Sequence, residues 1–196
     1  MFPLKHAFSG TVKHMAKVLA VAEHRDGQFG AAAREVVSVA ARLARDLGGT
    51  AQGVVLAGTG VPVEASSLGA FGADKIVVIE HDALADYNPE AWVSTLEDLI
   101  LAGEYDVVVF SATTLGKDLA RRIGAHLDVP LASDVTAVAI SDGVVSVTRP
   151  VFSGKAFAHL EIDASPALIS IRPNVFPSVE WACLLYTSPS PRDQRG

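Results

Sequence analysis

VVVFSATTLGKDLARRIGAHLDVPLASD, residues 107–134, is the stretch that decides the fold. Its first four residues are apolar and mostly β-branched, which predicts a strand buried on both faces. A loop over residues 111–115 follows. From Gly116 the apolar residues recur with helical spacing until residues 128–130, where Pro130 disfavours helical backbone in the residue before it. Such a strand, loop, helix and strand unit places its loop at the carboxyl end of a parallel sheet, where open α/β folds hold ligands.

Around this stretch the chain alternates strands and helices and then becomes β-rich. Apolar runs predict strands at residues 18–22, 52–57 and 75–79, and turn residues join a hairpin of residues 136–140 and 144–149. Further strands are predicted at residues 156–162 and 167–171. Helices are predicted around residues 36–47, where Gly48 and Gly49 stop the helix, at 63–71, and from Pro89 to Gly103 with Asn88 as the cap. The predicted fold is α/β, a doubly wound and mostly parallel sheet with a β-rich carboxyl-terminal edge.

The composition bounds the size and class of the protein. With 196 residues, of which 49% are hydrophobic, the chain can bury one core, so we expect one domain plus appendages. A formal net charge of −6 gives no basic surface for a nucleic acid, and no apolar run approaches the ~20 residues that span a bilayer. We therefore expect neither nucleic-acid binding nor membrane insertion. The single cysteine, Cys183, excludes an internal disulfide framework and a multi-thiolate metal site.

Both ends of the chain depart from the periodic pattern. Residues 1–14 show neither strand alternation nor a helical stripe, so Met15 is the predicted natural start and residues 1–14 a non-native or disordered leader. A short ordered arm is the alternative. Residues 181–196 hold Ser-Pro pairs and a charged finish, and they resemble translated cloning sequence. We expect an artefactual, disordered tail there, with a native flexible tail as the alternative, and one domain over residues 15–180.

The loop at residues 111–115, which follows the predicted strand at the start of the 107–134 stretch, offers a candidate site. Amide groups at a helix amino terminus attract anions, and nearby side chains can assist them. The candidate residues of this nucleotide or anion cradle are Ser111, Thr113, Thr114, Gly116 and Lys117. The spacing lacks the second glycine and the Lys-Ser/Thr pair of a P-loop, so a triphosphatase site is not expected. A loop that only caps its helix and meets a partner is the alternative, because a fold alone does not give a function.

A second candidate lies directly after the predicted strand at residues 167–171. Arg172 and Asn174 are polar, and Pro173 and Pro177 restrict the backbone around them. This pattern predicts a rigid exit at a domain boundary, where these residues orient a linker. An ordinary turn at the end of a strand remains the alternative.

Two other polar groups suggest chemistry less strongly. Arg149 and Lys155 flank a glycine, which is compatible with a phosphate site, but a bend between edge strands with both cations solvated is favoured. Glu23 and His24 end the first strand, where catalytic groups often lie in doubly wound sheets. No nucleophile, carboxylate pair or metal-ligand spacing accompanies them in the sequence, so no catalytic residue is predicted.

Four phrases in order resemble the amino-terminal domain of the alpha subunit of electron-transfer flavoprotein. They are AKVLAVAEH at residues 16–24, SATTLGKDLARRIGAHLDVPLASDV at 111–135, VTRPVFSGKAFA at 147–158 and ISIRPNVFP at 169–177. The likeness extends over residues 16–179. It implies a doubly wound α/β domain related to the adenine-nucleotide hydrolase-like group, packed against a beta subunit as half of a heterodimer.

The resemblance also implies a function. In the family, the complete protein carries electrons from dehydrogenases, such as the acyl-CoA dehydrogenases of fatty acid β-oxidation, through FAD to a quinone oxidoreductase. It is an electron carrier without substrate turnover of its own. The implied location is the cytoplasm of a bacterium or, for a eukaryotic source, the mitochondrial matrix.

In the family a second domain holds most of the FAD contacts, and it follows a segment that resembles Arg172, Pro173 and Asn174. Because this sequence leaves the family pattern there, we expect a chain truncated before the FAD-binding domain, which provides scaffold and heterodimer surface and does not itself bind FAD. The family's beta subunit cradles AMP in the loop that corresponds to residues 111–118, whereas the alpha subunit's loop is usually empty. A stand-alone adenine-nucleotide-binding module that uses this loop is the alternative function.

Overall fold

The computed structural model describes residues 15–141 and 143–181, so the predictions for residues 1–14, residues 182–196 and Cys183 lie outside the described residues. The helices are α1 (Ala31–Asp46), α2 (Ala65–Gly69), α3 (Pro89–Gly103) and α4 (Thr114–His126). The strands are β1 (Lys17–Val21), β2 (His24–Arg25), β3 (Gln28–Phe29), β4 (Thr50–Ala57), β5 (Lys75–Glu80), β6 (Val107–Ser111), β7 (Leu131–Val135), β8 (Ala137–Ser141), β9 (Val144–Val151), β10 (Ala156–Ile162) and β11 (Ala167–Ile171).

A six-stranded parallel sheet forms the centre of the fold, in the order β5-β4-β1-β6-β11-β7. Strand β1 pairs in parallel with β4 on one side and with β6 on the other, so that Val18 lies opposite both Ala51 and Val107. From β1 the chain runs outward through β4 to β5, and from β6 it builds the other half of the sheet. The order of the strands therefore reverses between β1 and β6, which is the switch point at which open α/β sheets hold ligands.

Helices cover both faces of this sheet, which confirms the doubly wound α/β prediction. The side chains of β6 alternate: Val107 and Val109 join the hydrophobic core beneath α1, whereas Val108 and Phe110 join the core beneath α3 and α4. All five residues of β6 are buried, as the apolar run at its start predicted. Burial on both faces explains why this strand lacks the alternating pattern of a half-exposed strand.

A three-stranded antiparallel sheet, in the order β10-β9-β8, forms the β-rich part of the chain. Its inner face extends the core beneath α1 through Val138, Val145 and Val147. Strand β11 does not continue this sheet. It lies in the parallel sheet between β6 and β7, because its five buried residues need a neighbour on each face and each edge.

Caps explain where the helices begin. The Asn88 side chain accepts hydrogen bonds from the backbone N–H groups of Glu90 (3.1 Å) and Ala91 (3.4 Å), so α3 begins at Pro89 as predicted. Helix α4 begins at Thr114, two residues before the predicted start at Gly116, since the Thr113 hydroxyl accepts from the Gly116 N–H at 2.9 Å. The loop between β6 and α4 therefore consists of only two residues, Ala112 and Thr113.

Candidate functional site

The crevice at the switch point is closed by a carboxylate from β1. Glu23 follows β1, and its two carboxylate oxygens accept from the Thr113 hydroxyl at 2.7 and 2.9 Å. The same carboxylate approaches Gly116, where an added Cβ would overlap the Ser111 carbonyl oxygen and lie 2.7 Å from Glu23 Oε1. A negative charge of the protein itself thus occupies the amino terminus of α4, where a bound anion would benefit from the helix dipole.

Burial raises the pKa of Glu23, and the hydrogen bond from Thr113 opposes that rise. Desolvation disfavours the charged carboxylate, while a donor hydroxyl favours it. The net rise in pKa indicates that the free energy lost by desolvating the charged carboxylate is only partly offset by the Thr113 hydrogen bonds and the helix terminus.

The other residues of the predicted cradle do not converge on one point. Ser111 is the last residue of β6, is 2% exposed, and its hydroxyl has no hydrogen-bond partner among the described residues. Thr114 is exposed on the first turn of α4, and Lys117 is half-buried one turn later. The structure therefore brings Thr113 and Gly116 together, around Glu23, and leaves Thr114 at the surface.

His24 has a structural role beside this crevice. The Gly27 N–H donates to His24 Nδ1 at 3.2 Å, so Nε2 carries the proton that is donated to the Leu56 carbonyl at 2.9 Å. Both ring nitrogens are thereby used to fix the β2–β3 hairpin against β4. This arrangement leaves no free nitrogen for acid or base chemistry.

The second candidate, Arg172, Pro173 and Asn174, lies directly after β11. Arg172 donates to both carboxylate oxygens of Asp134 through Nε and Nη2, a paired contact in which the Nε distance is 3.1 Å. Asp134, in β7, has left-handed backbone with φ of 61°. The hydrogen bond from Arg172 lowers the pKa of the Asp134 carboxyl. Since each partner lies at the end of a neighbouring strand, the pair fixes the direction in which the chain leaves the sheet.

Asn174 is held by its backbone. Its N–H donates to both carboxylate oxygens of Glu35, at 2.9 and 3.1 Å, and its φ of 60° is a left-handed conformation that asparagine tolerates. Glu35 lies on α1 and is 4% exposed. Burial raises the pKa of Glu35, and the hydrogen bond from Asn174 lowers it in part. Pro173, between the two anchored residues, is half-buried.

Residues 172–181, called the exit segment below, then run along α1. The Val179 N–H donates to the Ser38 hydroxyl at 3.1 Å, and the Trp181 N–H donates to the Ala70 carbonyl at 2.7 Å. The Arg45 guanidinium lies 3.6 Å from the centre of the Trp181 ring, within cation–π distance. The exit segment is therefore attached to the α1 face at several points.

The acidic partners in both places are not predicted from the sequence. The pattern after β1 indicates Glu23 only as a neighbour of His24, and nothing in the sequence marks Asp134 or Glu35 as a site residue. Helical spacing predicts Glu35 on the polar side of α1 with Arg34 and Arg42, and its exposure of only 4% contradicts that prediction. Nothing in the linear sequence connects it with Asn174, which is 139 positions away.

Arg149 corrects the interpretation of residues 149–155 as a bend with two solvated cations. Lys155 is exposed, but Arg149 is only half-exposed, and its Nε is buried without a hydrogen-bond partner among the described residues. The reason is its position in β9. It lies two residues beyond the buried Val147, so it shares the inner face of the small sheet.

Within residues 15–141 and 143–181, no helix combines the length and the apolar character that crossing a bilayer requires. Nor do the same residues bring three or more histidine, cysteine or acidic side chains together as a potential metal site.

Known proteins resemble the chain over most of its length. Residues 18–191 match the family described as "Electron transfer flavoprotein domain". The chain is 34% identical to the electron transfer flavoprotein subunit alpha of Syntrophomonas wolfei, over 82% of this chain and 49% of that protein. Identity to the corresponding subunit of Bacillus subtilis is also 34%, over 81% and 48%. "Acryloyl-CoA reductase electron transfer subunit beta" of Anaerotignum propionicum is 26% identical, over 89% and 54%. The chain spans about half the length of these curated relatives.

Proposed function

This chain belongs to the electron transfer flavoprotein family, and we propose that it serves as the amino-terminal scaffold and heterodimerisation domain of an alpha subunit. The domain occupies residues 15–180, and its partner is a beta subunit of the same family. In the complete protein, electrons pass from dehydrogenases, such as acyl-CoA dehydrogenases, through FAD to a quinone oxidoreductase. The domain itself turns over no substrate and works in the cytoplasm of a bacterial cell.

The observation that carries the scaffold role is the closed crevice at the switch point. A flavin or adenine nucleotide would place phosphate groups at the amino terminus of α4, where the Glu23 carboxylate already accepts from Thr113 at 2.7 Å. The two negative charges would repel each other at contact distance in a partly buried site. The residues of this crevice therefore do not fit the phosphates of FAD, and no redox step is assigned to them.

The exit segment supports the second half of the proposal. It leaves the sheet through the Arg172–Asp134 pair and is then attached to α1 through Glu35 and Ser38. An exit fixed in this way sets the direction of whatever follows residue 181 relative to the sheet. We assign Arg172, Pro173 and Asn174 the role of orienting that connection.

The test uses the purified full chain and a beta subunit from the same source. After incubation with excess FAD and desalting, the chain alone should be colourless, whereas an intact alpha subunit with its beta subunit, treated identically, should retain a flavin spectrum. The chain should also be retained by a tagged beta subunit. A stoichiometric yellow flavin on the chain alone would refute the scaffold role, and failure to bind the beta subunit at micromolar concentration would refute the heterodimer role.

The adenine-nucleotide module that uses residues 111–118 stays a prediction, which the geometry of Glu23 disfavours. Titration with AMP, ADP and ATP tests it on the same protein. Micromolar binding that is weakened by Lys117→Gln would favour the module over the scaffold.

A further inference from the structure

We propose that Arg149 and Arg172 form a binding site for the phosphate group of a small phosphomonoester. The site is a pocket of about 430 Å³ between the end of β9 and the carboxyl ends of β7 and β11. Its lining residues do not include Glu23, and they share Arg172 and Asp134 with the pair that orients the exit segment.

The first observation is the state of Arg149. Its Nε is buried and finds no hydrogen-bond acceptor among the described residues, and the ion pairs of those residues do not include it. A guanidinium has five N–H donors, and leaving a buried one of them without an acceptor is costly. An oxyanion in the pocket would supply acceptors to this guanidinium.

The second observation is the local balance of charge. Asp134 is the one carboxylate among the described residues that line the pocket, and both of its oxygens already accept from Arg172. The Arg172 hydrogen bond lowers the pKa of Asp134 most, and the positive charge of Arg149 lowers it further. Two arginines against one carboxylate leave an excess of one positive charge among the lining residues. A phosphate group neutralises that excess and offers more acceptor oxygens to the arginine N–H groups than a carboxylate does.

The third observation is the rim of the pocket. Phe152, Ser153 and Gly154 all have left-handed backbone, with φ of 50°, 56° and 85°. This turn places the Phe152 side chain, 80% exposed, beside the arginines instead of in the core. An exposed aromatic ring next to a phosphate site is suited to the organic part of a phosphomonoester, and ring stacking would add to the charge-assisted hydrogen bonds.

The experiment titrates the full chain with inorganic phosphate and with phenyl phosphate by calorimetry, at a constant ionic strength of ~0.15 M so that diffuse screening is the same throughout. Acetate at equal ionic strength is the monoanion control. The variants are Arg149→Gln, Arg149→Lys and Phe152→Ala, with Arg25→Gln as a matched loss of one exposed arginine elsewhere. Thermal unfolding of each variant, with and without ligand, reports folding independently of binding.

We expect saturable binding of both phosphates and much weaker binding of acetate. Arg149→Gln should weaken phosphate binding about tenfold or more, because it removes charge-assisted hydrogen bonds, and Arg149→Lys should recover part of the loss. Phe152→Ala should weaken phenyl phosphate and spare inorganic phosphate, and Arg25→Gln should change neither. Absence of saturable phosphate binding to the wild-type chain would overturn the proposal. Equal losses in the Arg149 and Arg25 variants would also overturn it, as would binding that follows ionic strength alone.

Discussion

At the scale of single residues, Glu23 makes the stability of the fold depend on pH. Burial raises the pKa of Glu23 above its ordinary value of 4.5, so the folded state binds a proton at higher pH than the unfolded state does. The stabilising contribution of this group is then fully present below the unfolded pKa and is lost as pH rises through the folded pKa.

We therefore expect Glu23→Gln to become more stable relative to the wild type as pH rises. The difference in unfolding free energy should grow between about pH 4 and about pH 7.5, because a carboxyl with a raised pKa loses its proton in roughly that interval. Glutamine can still accept from Thr113 and carries no charge to desolvate. Urea denaturation at several pH values measures this difference. Glu161→Gln, at an exposed position on β10, is the control for the loss of one carboxylate. A constant difference for Glu23→Gln would contradict the prediction.

Residues such as Glu23 also mark the limit of prediction from the sequence. That a polar residue ends β1 was evident from the apolar run before it. That its carboxylate meets Thr113 was not, because the two residues are 90 positions apart and only the pairing of β1 with β6 brings them together. The prediction that Arg149 is solvated was wrong for a related reason. Its partial burial depends on the small sheet facing α1, and the local alternation of residues does not reveal that packing.

At the scale of the elements, the pair between β7 and the exit segment should be measurable. Asp134→Asn keeps a residue that tolerates left-handed backbone, and Arg172→Gln keeps much of the side-chain volume, so a double-mutant cycle isolates the ion pair. We expect a coupling of about 0.5–1 kcal/mol, at the upper end for partly exposed pairs because Arg172 contacts both oxygens. Chemical denaturation of the four proteins gives this value.

The Arg122–Asp118 pair on α4 is the matched control for that cycle. It joins side chains that are 49% and 42% exposed within a single helix, and the same Asp118 oxygen also accepts from the Tyr87 hydroxyl at 2.7 Å, whereas Arg172 and Asp134 join two elements. Its coupling should be smaller. Equal couplings would mean that the contact between β7 and the exit segment adds nothing beyond an ordinary surface ion pair.

Helices were largely predictable where the residues that start and stop them lie within their own sequence. Helix α3 has its cap, its proline and its glycine within its own sequence, so the predicted bounds agree with the structure at both ends. Helix α4 begins earlier than predicted because its cap, Thr113, was assigned to the loop. The exit segment was predicted as rigid from its prolines alone, and its attachment to α1 required the tertiary structure.

At the scale of the whole molecule, the small sheet leaves an apolar surface. Phe157 on β10 is 61% exposed, and β10 pairs only with β9 among the residues that the structure describes, so one of its edges is open there. Free strand edges that carry apolar side chains promote association of copies. We expect Phe157→Thr to raise the concentration at which the chain aggregates on heating while changing the unfolding free energy by less than about 0.5 kcal/mol.

Light scattering during a thermal ramp, at several protein concentrations, measures the aggregation. Leu101→Gln is the control because Leu101 is similarly exposed, at 60%, but lies on a helix and not on a strand. If both variants suppress aggregation equally, general hydrophobicity and not the edge of β10 would be responsible.

The family resemblance inferred from four phrases is confirmed by the match over residues 18–191. The doubly wound fold is also confirmed, because alternating strand and helix patterns dictate a sheet covered on both faces. The position of β11 in the parallel sheet could not be predicted from the sequence. Its buried residues predicted a strand, but the sequence offers no local reason for it to return past the small sheet into the parallel one.

That return governs how the domain is made. Strand β11 pairs with β6 through residues such as Ile169 opposite Val109, and with β7 on its other side. Until the ribosome has released residues 167–171, β7 has no strand to join, and β6 keeps an unsatisfied edge within the nascent polypeptide. The parallel sheet can therefore close only after residues 167–171 have been made, which makes the addition of this strand the step that completes the central sheet.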